Sequence, residues 1–254
     1  LVSGTWGIYP AFVIDALTFL VSAVFISRIR LKPHDSPEHS RSFSAFFRQY
    51  VEGLEFLSKN RQVLVTACHK AMVALLAGST FEIVEVAISE RVFSIGVGGG
   101  ISLGLMFMMT GLGSGIGPII ARNITGDKTR ALRFAILIGY VMISIGYLIV
   151  MPLFTFGTTL FGILFRGLGG GIVWTFSTQL LLQQAPRHIS GRIFATEFAL
   201  FTLTGAIGAL IVGRALDAFG IQTILLGLAT LILVPGALWF FWISRQNVIS
   251  NARL

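Results

Sequence analysis

The chain has 254 residues, of which 54% are hydrophobic and only 12% charged, with a mean hydropathy of +0.83. A soluble domain carries about 25% charged residues, and a fold of this size cannot hide so much apolar surface beneath a polar exterior. Soluble enzymes, disordered regulators and disulfide scaffolds are therefore excluded. An all-α polytopic membrane protein remains. The net charge of +8 fits either nucleic acid or the positive loops beside a bilayer, and the placement of the charges decides between them.

A helix needs about 20 largely apolar residues to cross a bilayer. In chain order seven such runs occur: Trp6–Ile26, Val63–Ser89, Gly99–Ala121, Ala131–Leu153, Thr158–Gln183, Ile193–Ala218 and Thr223–Ile243. They are apolar all round, unlike the alternating strands of an outer-membrane barrel. The first run begins without a charged n-region, so it does not read as a signal peptide. The connection 27–62 is polar and holds Pro33 and Pro37. In its second half Phe43, Phe46, Phe47, Tyr50, Val51, Leu54 and Leu57 recur at helical spacing opposite Arg48, Gln49, Glu52, Glu55 and Lys59. This predicts an amphipathic helix with Ser42 as N-cap. It is expected on the membrane interface, with packing against the neighbouring bundle as the alternative. Residues 63–243 then form a six-helix bundle, and 244–254 a tail.

Counting Lys and Arg in alternate loops gives fifteen on the side that holds the long connection and the C-terminus, against Arg91 on the other. The positive-inside rule puts the first side in the cytoplasm and the chain's N-terminus outside. No basic stretch interleaved with aromatics forms a nucleic-acid surface. An outside N-terminus and an odd number of spans imply a further segment upstream.

Ionisable residues within spans are costly in lipid, and functional use is the default hypothesis for them. Asp15 lies mid-way along the first span. His69 and Lys70 lie in the inner part of the second, with Glu82 toward its outer end. Arg166 is in the fifth span, as is Gln179, and Glu197 is in the sixth. At about 1.5 Å rise per residue, Glu82 and Arg166 share a depth of roughly 12–14 Å from the outer surface. Lys70 lies roughly 12 Å and Asp15 roughly 18 Å from the inner surface. The pairs Glu82–Arg166 and Asp15–Lys70 are expected from these depths. A static ion pair and a transport role both remain open for each. A carboxylate buried in lipid can carry a proton across it, which makes Glu82, Glu197 and Asp15 the candidates for proton coupling. Glu85, Glu90, Arg214 and Asp217 read as interfacial and solvated or locally paired.

Small-xxx-small pairs such as Gly113/Gly117, Gly111/Gly115 and Gly167/Gly171 fit close helix packing; bending is the alternative for the run around Gly169–Gly171. No catalytic set, phosphate loop, cofactor motif or metal-ligand spacing occurs. The lone Cys68 reads as a packing residue.

Two segments resemble a known family. Pro10 to Ala23 (PAFVIDALTFLVSA) resembles the sixth span of major facilitator superfamily exporters, in the group of macrolide efflux proteins and enterobactin exporters. Leu182 to Ala195 (LQQAPRHISGRIFA), followed by Gly205, Gly208, Gly213 and Asp217 to Gly220, resembles the loop before span eleven and that span; Gly191-Arg192 is its most specific part. The family's cytoplasmic signature reads G-x-x-x-D-R-x-G-R. Its second copy falls on Gly117 to Asp127, where Gly117 and Arg122 match, Ala121 replaces the aspartate and Gly126 is displaced. The resemblance makes Gly117, Arg122, Asp127, Gly191 and Arg192 candidates for cytoplasmic gating. It implies spans six to twelve of twelve: the C-terminal six-helix half plus one preceding helix. It further implies proton-driven efflux of amphipathic drugs or siderophores by alternating access, in the plasma membrane, with an N-terminal half as partner. A membrane-embedded enzyme, a lipid-handling protein or a nonfunctional or interaction fragment are the other readings.

Overall fold

In the computed structural model, residues 6–29, 43–186 and 189–251 are described. Among the described residues ten α-helices run α1 (Ile8–Ser27), α2 (Phe43–Lys59), α3 (Arg61–Leu76), α4 (Ser79–Arg91), α5 (Gly100–Thr125), α6 (Thr129–Val150), α7 (Phe156–Gln184), α8 (Ser190–Ala218), α9 (Ile221–Leu231) and α10 (Leu233–Asn251). No strand occurs among the described residues. Seven segments among the described residues are long and apolar enough to cross a bilayer: Tyr9–Ser27, Arg61–Arg91, Val97–Thr125, Thr129–Val150, Phe156–Gln184, Ser190–Ala218 and Ile221–Arg245. Each contains the core of one of the seven runs read from the sequence. The second joins α3 to α4 across a break at Ala77–Gly78, and the seventh joins α9 to α10 at Ile232.

The long helix α7 organises the bundle. It starts on a capping box: the Thr158 amide donates to Thr155 Oγ1 at 3.1 Å, and the Thr155 amide donates to Thr158 Oγ1 at 3.2 Å. This supplies the first turn with acceptors it would otherwise lack. Helix α5 lies along one side of α7 and α6 along another; α3 and α4 pack on α8, and α9 and α10 on α6. Glycine makes the two α7 crossings close. On the α5 side a Cβ at Gly113 would run into the backbone of Leu164, and one at Gly117 into Leu168. On the α6 side Gly169 meets the Gly139 carbonyl and Gly146 meets the Arg166 backbone. Pro118 cannot donate to the Ser114 carbonyl one turn back, and Gly171 of α7 lies directly against that oxygen.

The core between these helices holds Phe81, Ile136, Tyr140, Tyr147, Phe176 and Trp239, all fully buried. The outer surface carries Ile119, Phe134, Phe161, Leu210 and Leu238, all exposed, as lipid contact allows. None of the α1 span is buried against the rest of the chain.

The C-terminal half of α2 packs against the bundle. Leu57 is buried with Val63, Ala67, Leu181, Ile189 and Ile193. Gly53 lies against the Arg192 side chain, and Arg192 donates to Glu52 at 2.7 Å. Val51 and Leu54 remain exposed, so the helix still offers an apolar edge. Ser42, Pro33 and Pro37 lie outside the described residues, as do the side chains of Phe43, Phe46, Phe47, Arg48, Gln49 and Tyr50.

Candidate functional site

The break in the second span sets the geometry of the first polar cluster. Gly78 and Ser79 interrupt the helix, and the last carbonyls of α3 lose their helical donors. In lipid such groups must be satisfied by protein. Arg166 Nη1 donates to Ala77 O at 2.6 Å, and Tyr147 Oη to Leu76 O at 2.7 Å. Thr80 Oγ1 donates to Leu75 O at 2.7 Å. Thr204 Oγ1 of α8 reaches Ala71 O at 2.9 Å. The guanidinium of Arg166 also lies 4.1 Å from the centre of the Phe81 ring, a favourable place for a cation.

From Arg166 a chain of hydrogen bonds continues outward. Nη2 donates to Thr110 Oγ1 at 3.2 Å, and Thr110 donates to Glu85 Oε1 at 3.0 Å. Glu85 is fully buried, and its Oε2 has no hydrogen-bond partner among the described residues. The expected Glu82–Arg166 pair does not form. Glu82 sits exposed in the first turn of α4, where the helix N-terminus favours a carboxylate, while Glu85 turns inward toward Thr110. Equal depth gave the right height and the wrong side of the helix. Glu85, expected to be interfacial and solvated or locally paired, is thus a core residue, paired with Thr110 and not solvated.

The second cluster lies in the half of the bundle that carries the basic loops. Lys70 Nζ of α3 is 3.1 Å from Glu197 Oε2 of α8, and the two residues are 6% and 2% exposed. Lys70 Nζ also lies 4.3 Å from the centre of the Trp174 ring. Trp174 is edge-on to Phe201, and its own surface is partly exposed. Glu197 Oε1 is buried without a hydrogen-bond partner among the described residues. The partner expected for Lys70, Asp15, is exposed on α1, whose span is not buried in the bundle. No other carboxylate forms an ion pair with Lys70 among the described residues.

On the residue before Lys70, about 100° around the same helix, a third group surrounds His69. Its Nδ1 shares a 2.7 Å hydrogen bond with Tyr140 Oη, and its ring is edge-on to Trp239 at 4.1 Å. Trp239 Nε1 donates to the Arg133 carbonyl at 2.9 Å. Cys68 is half-buried and lines a shallow apolar groove beside His69.

At the basic end of the bundle the signature residues converge. Arg122 Nη2 meets Asp127 Oδ1 at 2.6 Å, Gln179 Nε2 donates to the same oxygen at 2.6 Å, and Arg122 Nη1 donates to Gln179 Oε1 at 3.2 Å. Gln183 and Thr129 extend this triangle. Gly117 belongs to the α5–α7 crossing, not to the triangle. Arg192 bonds to Glu52 of α2, and Gly191 is exposed with open space around it. The sequence named Arg122, Asp127 and Gln179 separately; the structure joins them. It missed Thr110 and Tyr147, although Gly78-Ser79-Thr80 within an apolar run was the signal that a helix end, and hence donors for it, would be needed.

The sequence profile of the Major Facilitator Superfamily matches residues 1–196. The chain is 24% identical over 231 residues to the multidrug efflux pump Tap of Mycolicibacterium fortuitum, covering 90% of this chain and 54% of that protein. It is 26% identical over 201 residues to BacE of Bacillus amyloliquefaciens, which carries the name of a bacilysin exporter, covering 78% of this chain and 48% of that protein. BacE of Bacillus subtilis strain 168 matches to the same extent. The chain thus spans about half the length of the curated relatives it matches.

Proposed function

The chain belongs to the major facilitator superfamily, and from that premise we propose that its six-helix bundle is one of two rocking halves of an efflux transporter for amphipathic small molecules of drug or siderophore type. The family match and the efflux relatives support transport and export. The half-length coverage supports a second bundle as partner, with α1 as its last helix. Clustering of Lys and Arg at one end supports a cytoplasmic location for that end, and hence for the C-terminus, in the plasma membrane.

The observation that carries the mechanism is the buried Lys70–Glu197 pair beside the half-exposed Trp174. Glu197 is the proton-carrying group in this reading. Protonation neutralises the carboxylate and removes the partner of Lys70, which retains only the Trp174 face. The energetic balance between α3 and α8 then differs in the two protonation states, as coupling of protons to a conformational change requires. Asp15 and Glu82, both exposed to whatever adjoins the bundle, are secondary candidates for the proton or cargo path.

The test uses the complete transporter in proteoliposomes, with a panel of amphipathic drugs and siderophores and an imposed pH gradient. Wild type should accumulate at least one compound against its gradient. Glu197→Gln and the double variant K70M/E197L should lose accumulation but still equilibrate that compound. Accumulation that persists in both variants overturns the role of Glu197. No gradient-driven transport of any compound by wild type overturns the efflux reading itself.

A further inference from the structure

Between the start of α6 and the end of α10 lies an open cavity of about 510 Å³, lined by Lys128, Arg130, Phe134, Leu137, Phe240 and Ile243, with Ala131 and Ser244 between them. Its two kinds of wall are segregated by depth. Lys128 and Arg130 stand at the entrance, where α6 leaves the basic end of the bundle. Phe134 and Leu137 follow one and two turns further in, and Phe240 and Ile243 face them from α10. The distance from the cationic rim to Leu137 is about 10–13 Å along the helix, enough for a headgroup and the upper part of an acyl chain. Neither Lys128 nor Arg130 forms an ion pair among the described residues. The one carboxylate nearby in sequence, Asp127, is held by Arg122 and Gln179 on the other side of the loop. Among the described residues no carboxylate lines the cavity. The entrance is therefore cationic and uncompensated, and the interior is apolar and open toward the lipid-facing surface, where Phe134 and Phe240 are half or more exposed.

We propose that this groove binds an anionic phospholipid of the leaflet at the basic end, with Lys128 and Arg130 on its phosphate and an acyl chain along Phe134, Leu137, Phe240 and Ile243. Basic pockets between membrane helices have the charge to select anionic headgroups, because each cation near the surface favours them and hydrocarbon keeps the chain in place. The occupant would brace α10 against α6. The site does not depend on the transport reading.

The full chain is incorporated into phosphatidylcholine nanodiscs doped with phosphatidylglycerol, and retained lipid is counted by native mass spectrometry after release. Wild type should retain phosphatidylglycerol in preference to phosphatidylcholine. K128Q/R130Q should lower phosphatidylglycerol retention by about thirtyfold and leave phosphatidylcholine unchanged. K59Q/R61Q, which removes the same charge at the distant α2–α3 corner, should retain as much as wild type. Equal loss in both double variants would mean a diffuse surface field and overturn the site. Unchanged retention in K128Q/R130Q overturns it directly. Displacement of the lipid by soluble glycerol phosphate would show that the chain is not held, and overturns the lipid assignment.

Discussion

Lys70 Nζ and Glu197 Oε2 lie 3.1 Å apart in a bundle interior that leaves the two residues almost without exposure. They stand 127 residues apart in the chain, one on each of two helices that pack along their length. Loss of one partner strands the other charge in low dielectric, which costs far more than the pair contributes. Glu197→Gln and Lys70→Met should each destabilise the bundle by about 3–5 kcal/mol. K70M/E197L should recover most of that loss, because no charge is left unpaired. Denaturant titration in detergent checks the sign of the recovery. If the double variant is as unstable as the sum of the singles, the two side chains do not share one energetic unit.

Arg166 stabilises a helix break, and this sets what a substitution there should do. Its guanidinium reaches both Ala77 O through Nη1 and Thr110 Oγ1 through Nη2, two groups near different helices that a planar fork serves with separate nitrogens, whereas an ammonium offers one shorter-reaching point charge. Arg166→Met leaves a buried carbonyl unsatisfied, at about 1–3 kcal/mol, and removes the charge facing Glu85. Arg166→Lys should recover only part of the loss. Amide exchange at Gly78 and Ser79 is the local readout. It should accelerate in both variants and most in the methionine variant. Unchanged exchange would show that Tyr147 and Thr80 hold the break unaided.

The seven spans were legible because a bilayer demands long apolar runs, and their approximate positions, though not their ends, follow from composition. The partners of the charged groups were not. Depth along a helix follows from residue number, but the direction a side chain faces depends on phase, and the break at Gly78 resets the phase of α4 relative to α3. Glu82 and Glu85 sit in the same short helix, yet one is exposed and one is buried. Asp15 failed for a different reason: it lies on the one span that is not buried in this bundle. The triangle of Arg122, Asp127 and Gln179 was half legible. A signature spacing pointed to the first two, while Gln179 is 52 residues from Asp127 and reaches it only through the α5–α7 crossing.

That crossing gives a sharp contrast among glycines of similar spacing. Gly113 and Gly171 each face backbone of the partner helix, where a Cβ has no room. Gly111, Gly115 and Gly170 have nothing within 4 Å of the same position. Gly113→Ala and Gly171→Ala should therefore destabilise the bundle by about 1–3 kcal/mol through overpacking. Alanine at 111, 115 or 170 should be neutral or slightly stabilising, since it improves helix propensity by up to about 1 kcal/mol. Thermal unfolding separates the two groups. If a second bundle packs on the open face, Gly115→Leu should leave unfolding unchanged and impair transport by the complete protein.

The Arg122–Asp127–Gln179 triangle is open to solvent, with Arg122 and Asp127 side chains more than half exposed. An exposed pair of this kind contributes about 0–1 kcal/mol, so its effect on folding should be small. Under the proposed alternating-access reading its effect on transport is a separate matter, because it ties the end of α5 to α7 at one face of the bundle, and releasing it should alter the balance between conformations. Asp127→Asn and Arg122→Gln should each leave the unfolding midpoint nearly unchanged while altering the transport rate. The amide of Gln179 presents a donor and an acceptor and can rotate to exchange them. A charge-swapped variant, R122D/D127R, can therefore rebuild all three contacts with reversed polarity and should regain most of the rate lost in the single variants. Transport assays at low and high salt complete the argument: screening weakens exposed pairs, so the difference between wild type and Asp127→Asn should shrink as ionic strength rises. A difference that is independent of salt, with no recovery in the swap, would assign the effect to Asp127 alone.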